Sequence, residues 1–303
     1  MRWKNQRRSR NVEDRRGQTP RRMRGAGVSP LLQLLPRLLG RRGGKWGLLI
    51  VVGLFVASQM GIDVASLLGL SSGSQTQRTA PSNPAMVRQD AELADFVSVV
   101  LADTEETWQQ LFSAAGSRYK EPNLVLFSGA VNSACGFAKA AMGPFYCPGD
   151  QKVYIDLSFY RDLKQRHGAP GDFAQAYVIA HEIGHHVQTL TGISSRLHQA
   201  KKGVSKADAN QLSVRQELQA DCFAGIWAHH ADRSRNLLET GDIDEALTAA
   251  AAIGDDRLQQ QGRGYVTPES FTHGSSEQRI RWFKIGLDKG SVSACDTLSA
   301  AHL

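Results

Sequence analysis

Apolar residues recur at intervals of three and four in several long stretches of the chain, and they cluster in two short ones. The first pattern is typical of helices with one face on a core, and the second of buried strands. Helices are predicted over residues 93–112, 172–190, 212–227 and 276–287, with one or two alanine-rich helices over 242–261 that break near Gly254. Strands are predicted over 123–127 and 152–157. The fold class that follows is α+β, mainly helical with a small β-sheet.

An uncharged apolar run precedes these elements, from Trp46 to Ile62, and it continues beyond Asp63 to Leu70. It is long enough to cross a bilayer as one helix. Residues 1–45 hold fourteen Lys and Arg against two acids, and such an excess before a span predicts a cytoplasmic N-terminus. Because Ala57-Ser58 is a poor signal-peptidase site, an uncleaved anchor is favoured over a cleaved one.

Four segments are therefore predicted: a basic disordered cytoplasmic tail (1–45), a transmembrane signal anchor (46–70), a flexible linker (71–86) and one domain (87–303). The domain is expected outside the cytoplasmic membrane, in the periplasm or the extracellular space, on a single-pass anchor. The net charge of +7 belongs to the tail, because residues 46–303 carry 22 basic and 27 acidic side chains. No nucleic-acid partner is expected, since the hydrophobic run follows the basic tail at once.

A candidate metal site lies in the predicted helix that Asp172 would cap. His181, Glu182 and His185 form the pattern His-Glu-x-x-His. Positions i and i+4 are neighbours on a helix, so both imidazoles can reach one ion. The alternative is a pair of buried histidines that only form hydrogen bonds with their neighbours.

The next long helix supplies two carboxylates at the same spacing, Glu217 and Asp221, in an otherwise apolar segment. A catalytic zinc takes three protein ligands and leaves one position for water, so Glu217 is the expected third ligand. Asp221 is expected to accept a hydrogen bond from the ring of one ligand histidine. Ion pairs with Arg215 on a solvated face are the alternative.

These motifs resemble the gluzincin pattern of zinc metallopeptidases, in which His-Glu-x-x-His is followed by Glu-x-x-Ala-Asp, here Glu217 to Asp221. More closely, the chain resembles a bacterial family of membrane-anchored neutral zinc metallopeptidases. The matching pieces lie at residues 134–136, 143–148, 181–188, 215–224, 272–276 and 278–279. The resemblance implies a zincin-like peptidase domain with one zinc ion and a peptide or protein substrate, and it leaves the identity of that substrate open.

Four cysteines fit an oxidising compartment, where an even number predicts disulfides. Cys135 and Cys147 flank an eleven-residue loop, and Cys222 with Cys295 would tie the second metal-binding helix to the C-terminal region. Zinc ligation by Cys135 and Cys147 is the weaker alternative, because neither belongs to a Cys-x-x-Cys pair or has a histidine nearby.

The expected mechanism follows from the ligand set. Zinc held by His181, His185 and Glu217 would activate its bound water, and Glu182 would act first as general base and then as general acid. The function predicted is therefore a zinc peptidase, most simply an endopeptidase of the cell envelope. A catalytically inactive, zinc-stabilised binding or chaperone module is the alternative, and a nucleic-acid-associated protein acting through its tail is the third hypothesis.

The tetrahedral oxyanion of peptide hydrolysis needs a hydrogen-bond donor besides the metal. His273 is the first candidate, with a structural loop contact as its alternative, and Arg279 and Tyr265 are further candidates. The remaining helical histidines are expected to be ordinary helix residues: His186, His198, His229 and His230. Contact with substrate is the alternative for His186. The strand over 152–157 is predicted to be the sheet edge that binds an extended substrate, or else an interior strand.

Overall fold

A computed structural model describes residues 1–18 and 84–303. The helices of that part are α1 (Pro84–Ala114), α2 (Ser158–Gln165), α3 (Asp172–Leu190), α4 (Ile193–Ala200), α5 (Lys206–Arg235), α6 (Asp242–Ala252), α7 (Asp255–Arg263) and α8 (Ser276–Lys289). The strands are β1 (Val12–Asp14), β2 (Asn123–Phe127), β3 (Ala130–Ser133), β4 (Gly136–Lys139), β5 (Phe145–Cys147) and β6 (Lys152–Asp156). A mainly helical α+β fold with a small sheet is thus confirmed.

The main sheet has the order β1-β2-β6-β5. Strands β1, β2 and β6 run parallel, and β5 runs antiparallel to β6. Strand β6 is almost wholly buried between two neighbours, so its predicted place at the sheet edge is wrong and the interior alternative is correct. The edge nearest the helical layer is β5, a three-residue strand that the apolar pattern does not reveal.

Helix α3 forms the centre of the helical layer. Its apolar stripes cover most of its circumference, and it is buried over most of its length between α1, α5 and α6. Helix α5 packs in turn against α8, and these two helices approach most closely at Gly225 and Gly286. A Cβ on Gly286 would lie 1.9 Å from the carbonyl oxygen of Cys222, so only glycine permits this crossing.

Both predicted disulfides form, Cys135–Cys147 and Cys222–Cys295, and the zinc-ligand alternative for the first pair is thereby excluded. The first joins the end of β5 to the turn between β3 and β4, and the second joins α5 to the C-terminal region.

Several elements differ from expectation. Helices α2 and α4 were not predicted, and α5 extends beyond both ends of the predicted 212–227. Two further differences concern the predicted cap and the predicted linker. Asp172 is the first residue of α3 and follows Gly171 at the cap position. Helix α1 begins at Pro84, within the predicted linker.

The N-terminal segment differs most from its prediction, because residues 1–18 form part of the domain and are not a disordered tail. Strand β1 pairs in parallel with β2. Trp3 is buried and packs edge-on against Phe96, with the two ring centroids 5.4 Å apart. Arginine side chains of the segment pair with carboxylates of α1, such as Arg8 with Asp95 at 2.6 Å. These tertiary contacts supply the stability that the segment's own composition lacks.

The predicted transmembrane anchor, 46–70, falls outside the described residues, as does most of the predicted linker. Within residues 1–18 and 84–303, no helix combines the length and apolarity that a membrane crossing needs.

Candidate metal centre

Three side chains from two helices meet at the front of the helical layer. His181 and His185 project from α3, and Glu217 projects from α5. The imidazole Nε2 of His181 lies 3.2 Å from Glu217 Oε2, and that of His185 lies 3.4 Å from the same oxygen. One ligand atom from each of the three residues therefore lies within 4.8 Å of the other two.

The two helices can approach so closely because Gly184 stands between the histidines. A Cβ at this position would lie 2.9 Å from the carbonyl oxygen and 3.0 Å from the Cα of Ala220. Contacts below 3.0 Å with backbone require the backbone to move. The glycine thus sets the spacing between the histidine helix and the carboxylate helix.

The second ring nitrogen of each histidine is held by a protein acceptor. His181 Nδ1 donates to Asp221 Oδ1 at 2.8 Å. His185 Nδ1 contacts Gln188 Oε1 at 3.0 Å. Gln188 Nε2 donates to the carbonyl oxygen of Gln216 at 2.7 Å, so it is the amide oxygen of Gln188 that faces His185 and accepts. Each Nδ1 consequently carries hydrogen, and each Nε2 is directed to Glu217.

This arrangement requires a positive charge at its centre. With hydrogen on Nδ1, a neutral imidazole presents a lone pair on Nε2, and here two lone pairs face a carboxylate oxygen. Positive charge between the three groups makes such a geometry favourable, either as a shared metal ion or as protons on the Nε2 atoms. Two imidazoles and one carboxylate are a ligand set that zinc uses at catalytic sites, so the residues fit a zinc ion.

The same need for positive charge is seen in the pKa values of His181 and Glu217, which favour a protonated imidazole beside an ionised carboxylate. Burial lowers the pKa of His181, but the carboxylates of Asp221 and Glu217 outweigh this effect and raise the pKa to about 10. Burial raises the pKa of Glu217, yet the two imidazoles hold the pKa well below its usual range. A metal ion would replace those protons, as ligand binding by histidine requires.

Asp221 belongs to a buried network behind the metal ligands. Arg279 donates to both carboxylate oxygens at 2.9 Å, and the hydroxyl of Tyr177 donates to Oδ1 at 2.5 Å. Burial raises the pKa of Asp221, while Arg279 and His181 lower it to about 2. The carboxylate is therefore ionised at neutral pH, and it fixes the ring orientation of His181 as the sequence predicted.

Glu182 differs from these groups because nothing holds its carboxylate. The side chain is 7 % exposed and lines the cleft beside His181 and His185. Among the described residues, none donates a hydrogen bond to it, whereas Glu217 and Asp221 are fully engaged. A nearly buried carboxylate without a partner is costly to fold, so its position indicates a role towards a ligand.

His273 lies in the loop before α8 and lines the cleft together with His185 and Glu217. Its Nδ1 donates to Asp255 Oδ1 at 3.2 Å. Asp255 Oδ2 accepts backbone N–H groups of the same loop, at 2.7 Å from Thr272 and 2.6 Å from His273. The hydrogen bond that His273 donates to Asp255 raises the pKa of the imidazole, against an opposing effect of partial desolvation. Within residues 1–18 and 84–303, no hydrogen-bond partner contacts His273 Nε2, so this atom is available to a ligand.

The other residues considered from sequence take different places. Arg279 lines the apolar recess, but its guanidinium is engaged by Asp221. Tyr265 is 60 % exposed with the Arg263 guanidinium over its ring, and it lines neither recess. His229 and His230 contact carbonyl oxygens at the end of α8. His229 contacts the carbonyl oxygen of Leu287, and His230 contacts that of Gly290.

His186, by contrast, holds a residue of the cleft in place. Its Nε2 donates to the carbonyl oxygen of Lys120 at 2.6 Å, which leaves Nδ1 to accept from the hydroxyl of Tyr146 at 3.0 Å. Burial lowers the pKa of His186 to about 4, so the ring is neutral at physiological pH. His198 lies in the cleft wall.

The cleft consists of two recesses that meet at the metal-binding side chains. Both are lined by Tyr146, His185, Glu217 and His273. The first, called here the polar recess, has a volume of about 620 Å³ and extends along α4 and α5. The second, the apolar recess, has a volume of about 560 Å³ and extends along β5 and α2. Glu182 lines the apolar recess only.

Comparison with known proteins identifies the family of the chain. A family model described as putative neutral zinc metallopeptidase matches residues 1–298. The chain belongs to this family. The family resemblance predicted from the motifs is thereby confirmed, and the match includes the N-terminal segment that packs on the domain.

Relatives in this family cover nearly the same length. The chain is 50 % identical over 299 residues to the uncharacterized protein YpfJ of Escherichia coli K12. That alignment covers 98 % of each of the two chains. It is 40 % identical over 258 residues to the uncharacterized protein Rv2575 of Mycobacterium tuberculosis, covering 82 % of this chain and 86 % of the relative. No solved structure matches the chain.

The sequence patterns do not reveal four residues of this site: Gln188 and Asp255, which contact the rings of His185 and His273, and the cleft residues Tyr146 and Lys201. Tyr146 lies within a matching piece of the family pattern, yet nothing in its spacing indicates a position in the cleft. Asp255 looks like an ordinary first-turn acid of a helix, and Lys201 like a residue of a solvated loop. Only the tertiary contacts reveal their positions.

Proposed function

We propose that the protein is a zinc-dependent endopeptidase. The observation that carries this proposal is the unpartnered carboxylate of Glu182, which faces the cleft beside a ligand set of His181, His185 and Glu217. A zinc ion bound there would supply Lewis-acid polarisation of the substrate carbonyl and a lowered pKa for the attacking water. Membership of the zinc metallopeptidase family supports the same chemistry.

Within this mechanism, Glu182 accepts the proton of the attacking water and returns it to the leaving amine. Its carboxylate can do so because no group in the described part of the chain donates a hydrogen bond to it. Asp221 and Gln188 keep the imidazoles of His181 and His185 in the tautomer that directs Nε2 to the centre. These two residues thus position the ligands and do not touch the substrate.

His273 is the group best placed to donate a hydrogen bond to the oxyanion. Its imidazole lies in the cleft wall, and its pairing with Asp255 favours the protonated ring. A charged donor aimed at developing negative charge lowers the barrier more than a neutral donor does. Tyr146 is a second donor at the same junction of the two recesses, although its hydroxyl is directed to His186 in this structure.

The alternative function is a catalytically inactive, zinc-stabilised binding module. A purely structural zinc site is normally closed by four protein ligands. Among the described residues, only three potential ligands meet at this centre, and the space beside them opens into the cleft. Both features favour the peptidase.

The proposed location is outside the cytoplasm. Two disulfides within one domain support an oxidising compartment, since cytosolic thiols are kept reduced. The proposed partners are a peptide or protein substrate, and a membrane through the predicted anchor. A nucleic-acid role for the arginines of residues 1–18 is disfavoured by their contacts, because Arg7 and Arg8 already pair with carboxylates of α1.

The deciding experiment compares the wild type with Glu182→Gln, using zinc analysis and cleavage of casein or a peptide library. We expect the variant to retain zinc and to lose at least roughly 100-fold in kcat/KM, the scale of general acid–base catalysis. Glu269→Gln, an exposed glutamate of a surface turn, is the matched control and should retain full activity. Equal cleavage by wild type and Glu182→Gln would contradict the mechanism, and zinc binding without any cleavage by the wild type would favour the inactive module.

A further inference from the structure

The two recesses of the cleft differ in chemistry. Hydroxyl groups and one lysine line the polar recess beyond the shared residues, among them Ser194, Ser195, Lys201 and Ser213. The apolar recess contains large apolar side chains, where Met142 is 70 % exposed and Phe159 and Leu258 lie alongside. Asp162 and Arg166 also line it, but they pair with each other at 3.8 Å. A substrate that spans the metal centre would therefore meet two different environments.

Among the described residues, Lys201 is the one Lys or Arg side chain that lines the polar recess. It follows the last turn of α4 and is partly buried in the recess wall. Its Nζ donates to the amide oxygen of Gln216 at 3.3 Å, and among the described residues no carboxylate lies within ion-pair distance of it. Glu217 is close enough to influence Lys201 electrostatically, but that carboxylate is directed to the two imidazoles.

A partly buried ammonium with only a neutral partner has lost hydration without gaining an ion pair. Such a group is poised to gain from an anion that enters the recess. The neighbouring serine hydroxyls can add neutral donors to the same anion. Lys202, the next residue, is exposed and lies outside the wall. Of these two neighbouring lysines, only Lys201 therefore places its charge in the recess.

Resting on the peptidase function proposed above, we infer that Lys201 binds a carboxylate of the substrate in the polar recess, while the apolar recess accepts an apolar side chain across the scissile bond. The carboxylate has two possible sources. It is either the side chain of an Asp or Glu residue, or the free α-carboxylate at the end of the substrate chain. The first makes Lys201 a specificity residue of an endopeptidase, and the second directs cleavage to chain ends.

Binding can be separated from turnover by measuring it on the zinc-loaded Glu182→Gln protein. Fluorescence anisotropy would be recorded with two matched peptide pairs, one with Glu replaced by Gln and one with a C-terminal acid replaced by an amide. We expect the carboxylate member of one pair to bind more tightly. Lys201→Gln should weaken that binding roughly tenfold, the scale of one charge-assisted hydrogen bond, and should leave the uncharged member unchanged.

Lys202→Gln is the matched control and should alter neither pair. Lys201→Glu should reverse the preference towards a Lys-containing peptide, and Lys201→Arg should preserve it. Zinc content and thermal stability of each variant would verify that the fold is intact. A response of the Glu/Gln pair identifies a side-chain carboxylate, whereas a response of the acid/amide pair identifies the chain end.

Failure of this inference can be distinguished from failure of the peptidase proposal. If the wild type cleaves peptides but Lys201→Gln changes neither pair, the carboxylate subsite is wrong and the peptidase stands. If the pairs respond to Lys201→Gln but the wild type cleaves no peptide, the recess binds carboxylate peptides and the peptidase is wrong. If neither binding nor cleavage occurs, both are overturned.

Discussion

At the scale of single residues, the site divides into groups that are held and groups that are free. Asp221, Gln188 and Asp255 each accept hydrogen bonds that orient one histidine, and each is identified by a short distance to a ring nitrogen. Glu182 and the Nε2 of His273 have no such partner in the part of the chain that the structure describes, and both residues line the cleft. This division assigns positioning roles to the first set and chemical roles to the second.

The pairing of His273 with Asp255 predicts a change in the pH profile. Because Asp255 raises the pKa of His273 above its ordinary value, the protonated ring persists to higher pH and is lost as pH rises through the folded-state pKa. Asp255→Asn removes the charge but keeps an acceptor for the loop, so we expect the alkaline limb of kcat/KM to move to lower pH. His273→Ala should lose roughly 100-fold in kcat.

A pH series of initial rates for the wild type and Asp255→Asn measures this shift. Asp256→Asn, a neighbouring change on the same helix, is the control for general effects of lost charge near the loop. An unchanged alkaline limb in Asp255→Asn would show that His273 does not supply the charged donor.

At the scale of elements, the centre depends on the distance between α3 and α5. Gly184→Ala places a methyl group against the backbone of Ala220, so we expect the two helices to separate and Glu217 to draw away from the imidazoles. The free energy of unfolding should fall by about 1–3 kcal/mol, the usual cost of overpacking. Zinc affinity, measured by competition with a chelator, should fall as well.

Gly262→Ala provides the matched control. Gly262 is also a helical glycine, but a Cβ there would meet nothing within 4 Å. We expect that variant to keep its zinc affinity and to gain slightly in stability, since alanine loses less backbone entropy than glycine in a helix. Retention of zinc affinity by Gly184→Ala would show that the helix spacing does not determine the site.

The long helices and the metal-binding side chains could be predicted because their signals are local, whereas the short helices α2 and α4 were not predicted. Residues such as His181 and His185 are related by helical spacing alone, and long apolar stripes define α1, α3, α5 and α8. Strand β1 could not be predicted, since Val12-Glu13-Asp14 lies among arginines and gains its stability only from β2. The positions of Lys201 and Asp255 likewise depend on packing between elements that are distant in sequence.

At the scale of the whole molecule, residues 1–18 and 84–303 form one compact unit. The orientation predicted from sequence places the N-terminus in the cytoplasm and the domain outside the membrane, on opposite sides. The contacts of β1 with β2, and of Trp3 with Phe96, require both parts on the same side in a molecule that folds this way. The two arrangements are mutually exclusive and can be distinguished in cells.

Thiol labelling tests which arrangement holds. The four natural cysteines are paired in disulfides, so a cysteine introduced at exposed Arg10 or at exposed Lys202 would be a free thiol. We expect a membrane-impermeant maleimide to label both variants in intact spheroplasts, or neither of them. Lysed cells control for reactivity. Labelling of one position alone would show that residues 1–18 do not pack on the domain in the cell.

The outer edge of β5 bears on what kind of molecule could enter the cleft. A strand at the margin of a sheet offers amide and carbonyl groups at a fixed repeat to any extended backbone, whatever side chains that backbone carries. A polypeptide already folded into helices or sheets has its own groups satisfied and cannot pair there without local opening. Pairing of a substrate backbone at this margin would add a requirement for an unfolded segment to the side-chain preferences proposed for the two recesses.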